Sequence, residues 1–167
     1  MSNADSASVR RASVLGLGLI GGSICASLRD RGWIVSGDDA DAARAKDALD
    51  RGLITEIGLD AESEVTFVAV PVMAVATQVR RALSETKGIV TDVGSVKTAV
   101  CESVDDSRFV GGHPMAGSEL EGLDGADPDL FRGAVWVLTP TSKTSDAAFA
   151  TVAAIVNDMG EIGRAHV

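Results

Sequence analysis

A chain of 167 residues, 46% hydrophobic and 23% charged, is one domain's worth and can bury a core without disulfide or metal staples. Its net charge of −9, from 24 acids against 15 bases, argues against nucleic acid and anionic membrane as main partners, since both need a basic face. No apolar run reaches transmembrane length, and the polar lead lacks the apolar core of a secretory signal.

Residues 1–10 read as a short disordered lead, and residues 11–160 as one domain. Ala12–Gly16 is a short apolar strand. Ile20–Arg31 follows as a helix, with Ile20, Ile24 and Leu28 four apart on one face. Trp33–Gly37 is a second strand, and Asp41–Arg51 a helix with Gly52 at its C-terminal stop. Glu64–Val70 is a third strand, ended by Pro71, and Met73–Ser84 a helix. Gly88–Asp92 is a fourth strand, Val96–Ser103 a short helix, and Arg108–Gly112 a fifth strand. A polar, Gly- and Asp-rich connection, 114–132, leads to a sixth strand, Ala134–Leu138, and a last helix, Ser145–Met159. Connections that long in a compact domain are often functional. Val- and Ile-rich strands alternating with helices predict an α/β fold: a Rossmann-like, doubly wound, mainly parallel six-stranded sheet. Ligands bind such sheets at the carboxyl ends of the strands.

Gly16-Leu17-Gly18-Leu19-Ile20-Gly21 has the spacing G-x-G-x-x-G between a strand and a helix. The first glycine allows the turn, the second the approach of a pyrophosphate, and the third close packing of helix on strand. The free N–H groups of the helix N-terminus then hold the phosphates. Gly16, Gly18, Leu19, Ile20 and Gly21 are therefore candidate cofactor residues, with Val70 and Pro71 at the end of the third strand. The acidic pair Asp38-Asp39 closes the second strand. A carboxylate there bonds the adenosine ribose and repels a 2′-phosphate, which favours NAD; Arg44 keeps NADP open.

Thr91-Asp92-Val93-Gly94-Ser95-Val96-Lys97 and Gly111-Gly112-His113-Pro114-Met115-Ala116-Gly117-Ser118-Glu119 lie at the ends of the fourth and fifth strands. These ends flank the place of a nicotinamide ring. Hydride transfer from a carbinol needs a group that takes the hydroxyl proton or polarises the oxygen, and a neutral histidine suits this near pH 7. His113 is the candidate, the other histidine being His166 in the terminal tail. Ser95 either bonds His113 or the reacting oxygen, or caps the short helix. Lys97 is either an anion contact or a solvated helix residue. Cys25 and Cys101 stand far apart without metal-ligand spacing, so no metal is expected and both read as free thiols of a reducing cytoplasm.

Gly16–Ser23, Thr91–Lys97 and Gly111–Glu119 together resemble the nucleotide-binding half of the prephenate dehydrogenases, arogenate dehydrogenases included. Leu130-Phe131-Arg132-Gly133 and Val137-Leu138-Thr139-Pro140 match later landmarks of that family, and the resemblance covers Ser13–Gly160. It implies oxidative decarboxylation of prephenate or arogenate with NAD(P), in tyrosine biosynthesis in the cytoplasm. It makes His113 the partner of the substrate's ring hydroxyl, with Ser95 beside it. It also puts Ser118 and Glu119 in the substrate pocket and favours Asp39 over Asp38 as the ribose acid. The family's helical domain, which forms a homodimer and carries arginines to the substrate, is not expected within this chain. Residues 161–167 depart from the family pattern and look like translated adapter sequence, or else a natural terminus. Two other readings remain: another Rossmann dehydrogenase or reductase, which would lack the second and third motifs, and a dinucleotide-binding module without turnover.

Overall fold

The computed structural model describes residues 8–160 and the backbone of residues 162–165. The chain opens with β1 (Arg11–Leu15), α1 (Leu19–Asp30), β2 (Ile34–Asp38), α2 (Ala42–Asp50) and the two-residue β3 (Glu56–Ile57). Then come β4 (Val65–Val68), a 3-10 turn at Val72–Ala74, α3 (Val75–Glu85), β5 (Ile89–Asp92) and α4 (Thr98–Ser103). It ends with β6 (Phe109–Met115), a 3-10 turn at Gly122–Gly125, β7 (Val135–Thr139), α5 (Asp146–Asp158) and β8 (Ile162–Ala165).

The strands form one sheet in the order β3-β2-β1-β4-β5-β6-β7-β8. Neighbours run parallel except β6 and β7, which are antiparallel. The mainly parallel Rossmann-like fold expected from sequence is borne out, with eight strands where six were expected. The unforeseen β3 is an exposed Glu-Ile pair on the sheet edge, too short to give a periodic signal. The unforeseen β8 falls in the segment read as a non-family tail, where it pairs with β7. Glu161, His166 and Val167 lie outside the described residues, as does 1–7 of the expected disordered lead. The end of that lead is held in place: Arg10 donates to Glu64 at 2.8 Å and stacks 4.1 Å above the Trp33 ring.

All four residues of β4 are buried, as a central strand covered on both faces requires. Helix α1 is buried continuously from Gly21 to Leu28, well beyond the single face marked by Ile20, Ile24 and Leu28. Its outer side is covered by the long connection after β6. A Cβ on Gly22 would come within 2.9 Å of Leu123, and Ser23 Oγ accepts from the Asp127 N–H at 3.0 Å. Phe131, from the same connection, packs on Trp136 at 5.2 Å, and Trp136 packs on Phe67 at 6.1 Å. All three are fully buried, and each side chain contributes roughly 1.5–3 kcal/mol through apolar burial. Strand order reverses between β1 and β4, which opens a crevice at their carboxyl ends.

Candidate functional site

A cavity of about 730 Å³ occupies that crevice. Gly16, Gly18, Leu19, Ile20, Asp39, Val70 and Pro71, all expected from sequence, line it. Gly21 does not; it lies beneath, where a Cβ would fall 1.8 Å from the Gly16 carbonyl oxygen. Gly16 has φ +89° and would set a Cβ 2.2 Å from the Ala69 carbonyl oxygen, so only glycine makes this turn. Gly18 has open space where a side chain would be. It is the N-cap of α1, and no side chain caps the helix. The turn therefore offers an anion the uncapped N–H end of a 12-residue helix with room to approach it.

Asp39 is the better fixed of the two acids. Its carboxylate accepts from the backbone N–H of Leu17 and of Asp41, each at 2.8 Å, and its side chain is 7% exposed. Arg44 stands 3.3 Å from it on the solvent side. Asp38 turns the other way, to Arg81 on α3 at 3.1 Å. Arg81, Gln78 and Ala74 complete this wall of the cavity. Sequence reading passed over Arg81, because its acid partner lies 43 residues away in the chain.

Val93 and Gly94 bring the end of β5 to the opposite wall. Asp92, just before them, is fully buried. It accepts from the Gly94 N–H at 3.0 Å and the Gly112 N–H at 3.1 Å, and pairs with the Lys97 ammonium. Burial pushes its carboxyl above the usual carboxylate range, and Lys97 and the two N–H groups oppose that push. Lys97 is thus neither a solvated helix residue nor a free anion contact.

His113 sits in β6, half-buried, opposite Val137 of β7. Its Nδ1 is buried with no hydrogen-bond partner among the described residues. Thr66 Oγ1 and Trp136 Nε1 share this state. Ser95 is exposed, and no hydrogen bond joins it to His113 among the described residues. Nor is it a helix cap, since α4 starts at Thr98 with Lys97 at its N-cap. Ser118 and Glu119 are exposed in the connection after β6, where Ser118 Oγ accepts from the Leu120 N–H at 3.1 Å. His113, Ser95, Ser118 and Glu119 do not line the cavity.

Burial pushes the Cys25 thiol up to about 12 and also raises that of Cys101, which disfavours the thiolate at both. Among the described residues no His, Cys, Asp and Glu cluster could hold a metal, and no helix is long and apolar enough to cross a membrane.

Residues 24–162 match the family described as prephenate dehydrogenase, nucleotide-binding domain. The chain is 35% identical over 148 residues to a prephenate dehydrogenase of Bacillus subtilis, covering 80% of this chain and 40% of that protein. The arogenate dehydrogenase of Synechocystis superposes with a TM-score of 0.87 at 33% identity, over 94% of this chain and 59% of that one. A prephenate dehydrogenase of Aquifex aeolicus, solved with hydroxyphenyl propionate and NAD+, gives 0.87 at 28% identity, over 96% and 61%. The chain therefore spans about 40% to 61% of the length of these relatives.

Proposed function

The chain belongs to the prephenate dehydrogenase family through its nucleotide-binding domain, and from that premise we propose that it supplies the cofactor half of an NAD-dependent oxidative decarboxylation of prephenate or arogenate. The observation that carries the reading is the cavity itself: an uncapped helix N-terminus and a fixed carboxylate on one wall, with the β5 end on the other. The β6 histidine stands beyond that β5 end, joined to it through Asp92.

NAD, when bound, supplies the acceptor for the hydride. The chain's own part is to hold and orient it and to manage one proton. The first turn of α1 meets the pyrophosphate, and Asp39 meets the ribose. Because two backbone N–H groups fix Asp39 and Arg44 already faces it, a 2′-phosphate would meet a held negative charge; this supports NAD over NADP. His113 acts as a neutral base on the carbinol proton while the carbonyl develops. Loss of carbon dioxide then aromatises the ring. Ser95 assists at the same oxygen, and Ser118 and Glu119 bind the substrate from the rim. The family resemblance adds a helical domain and a homodimer to the whole enzyme. Free Cys25 and Cys101 support a cytoplasmic setting.

Calorimetry with NAD and NADP, beside an assay of NADH production from prephenate and from arogenate, tests all of this. NAD binding with turnover of either substrate supports the proposal. Absence of NAD binding would overturn it. Binding without turnover would favour a second reading, a dinucleotide-binding module. The exposure of Ser95, Ser118 and Glu119, away from the cavity, already speaks for that reading in the isolated chain.

A further inference from the structure

The ladder between β5 and β6 stops at Thr91↔Val110. Beyond it β6 continues for five residues, Gly111 to Met115, and pairs only with β7. The strand that carries His113 has thus lost its neighbour on the cavity side. A side chain bridges that gap: Asp92, the last residue of β5, accepts the Gly112 N–H that the ladder no longer serves.

The same carboxylate accepts the Gly94 N–H on the cavity wall, and the Lys97 ammonium neutralises it. The two glycines before His113 make this approach possible. A Cβ on Gly112 would lie 2.7 Å from the Asp92 carbonyl oxygen, and one on Gly111 would lie 3.3 Å from the Lys97 chain. Gly111 and His113 share one face of β6, since side chains alternate along a strand. Lys97 therefore crosses the strand on the face that carries His113.

We infer that Asp92 is a positioning residue, whose carboxylate fixes His113 relative to the cofactor cavity by holding Gly112 and Gly94 at once, with Lys97 as its counter-ion. The inference rests on the function proposed above. A fully buried charge is costly, and this one is spread over two backbone donors and one ammonium. An amide cannot replace it. Asparagine has one acceptor oxygen, while the donors approach both oxygens of Asp92. Either Gly112 or the Gly94–Lys97 side must then face an NH2 group.

Asp92→Asn is the test. Turnover of prephenate should fall on the order of 10²-fold in kcat, the scale of a misplaced catalytic group. KM and the Kd for NAD should stay within about threefold. A second readout needs no turnover. In chain labelled with ¹³C-histidine, His166→Gln identifies the His113 ring signal. That signal should move and multiply in Asp92→Asn, while the indole signal of Trp33, at the opposite end of the sheet, stays put. Should an unpaired Lys97 prevent folding, the double variant Asp92→Asn with Lys97→Met removes both charges, and it should fold with His113 still displaced. An unmoved His113 signal with unchanged kcat would overturn the inference. So would loss of NAD binding in step with kcat, which would make Asp92 part of the cofactor wall alone. If the wild-type chain turns over no substrate, the functional reading of this chain fails and the His113 signal alone decides the inference.

Discussion

Around Gly16 and Asp39 the crevice wall is set by backbone groups; outside the cavity, at Ser95, Ser118 and Glu119, the chain presents exposed side chains. Asp39 is gripped by the N–H groups of Leu17 and Asp41, and Gly21 lets α1 lie directly on the turn. On the other side, Val96, Met115 and Leu120 are more than half exposed, and His113 keeps a buried nitrogen unpartnered. One region is fixed by the fold, with its carboxylate held and its helix N–H groups left open to a ligand. The other presents exposed groups and one buried ring nitrogen without a partner among the described residues. A site that binds a common cofactor can be rigid and local, whereas a site for a particular substrate is assembled from several strand ends.

The contrast breaks if the two regions respond alike to substitution. His113→Asn should give the largest effect: kcat about 10²- to 10⁴-fold lower, with NAD affinity unchanged by calorimetry. A parallel loss of NAD binding would merge the two regions into one. Gly21→Val places atoms inside the Gly16 carbonyl and should cost about 3 kcal/mol of stability in urea unfolding, with NAD binding lost as well. Retained stability would show that the turn can relax. Asp39→Asn should weaken NAD about tenfold and narrow the gap to NADP, measured by paired titrations.

Two smaller effects lie outside both regions and calibrate the others. Ser145 caps α5 by accepting the Ala148 N–H at 3.1 Å, so Ser145→Ala should cost about 1 kcal/mol and leave cofactor binding untouched. For Asp60, burial pushes the carboxyl up, but the Arg11 guanidinium and the Glu62 N–H outweigh it and leave it below the ordinary value. A depressed carboxyl stabilises the fold above its unfolded value and loses that stability as pH falls through the folded one. Asp60→Asn should therefore lower Tm near neutral pH, and its gap to wild type should close below about pH 4. A gap constant down to pH 2 would show that the ion pair carries none of the effect.

The cofactor wall was legible because its signal is local. Glycine spacing, a preceding apolar strand and an acid at the next strand end fall within the first 39 residues. The Asp92 bridge was hidden for the opposite reason. The motif that contains it was visible, but its partner Gly112 lies 20 residues on, and the contact exists only because the β5–β6 ladder stops where it does. Periodicity cannot report where a ladder ends. The helix-cap alternative for Ser95 fails because α4 begins at Thr98 with Lys97 at its N-cap, two residues later than the apolar pattern from Val96 suggests. The expected fifth strand ended at Gly112 because glycine pairs weaken strand patterns; pairing with β7 carries it on to Met115.

The Gly112–Trp136 contact has an optical consequence. The chain has no tyrosine and two tryptophans, so its ultraviolet emission comes from Trp33 and Trp136 alone. Trp33 lies under Arg10 at the amino end of β2. The Trp136 indole nitrogen stands 3.0 Å from where a Gly112 Cβ would be, directly behind the strand of His113. With Trp33→Phe, a single built-in fluorophore remains, placed to sense the strand that carries the candidate catalytic group. Its emission overlaps the absorption of a reduced nicotinamide, so loading of the crevice can be followed by light without any added label.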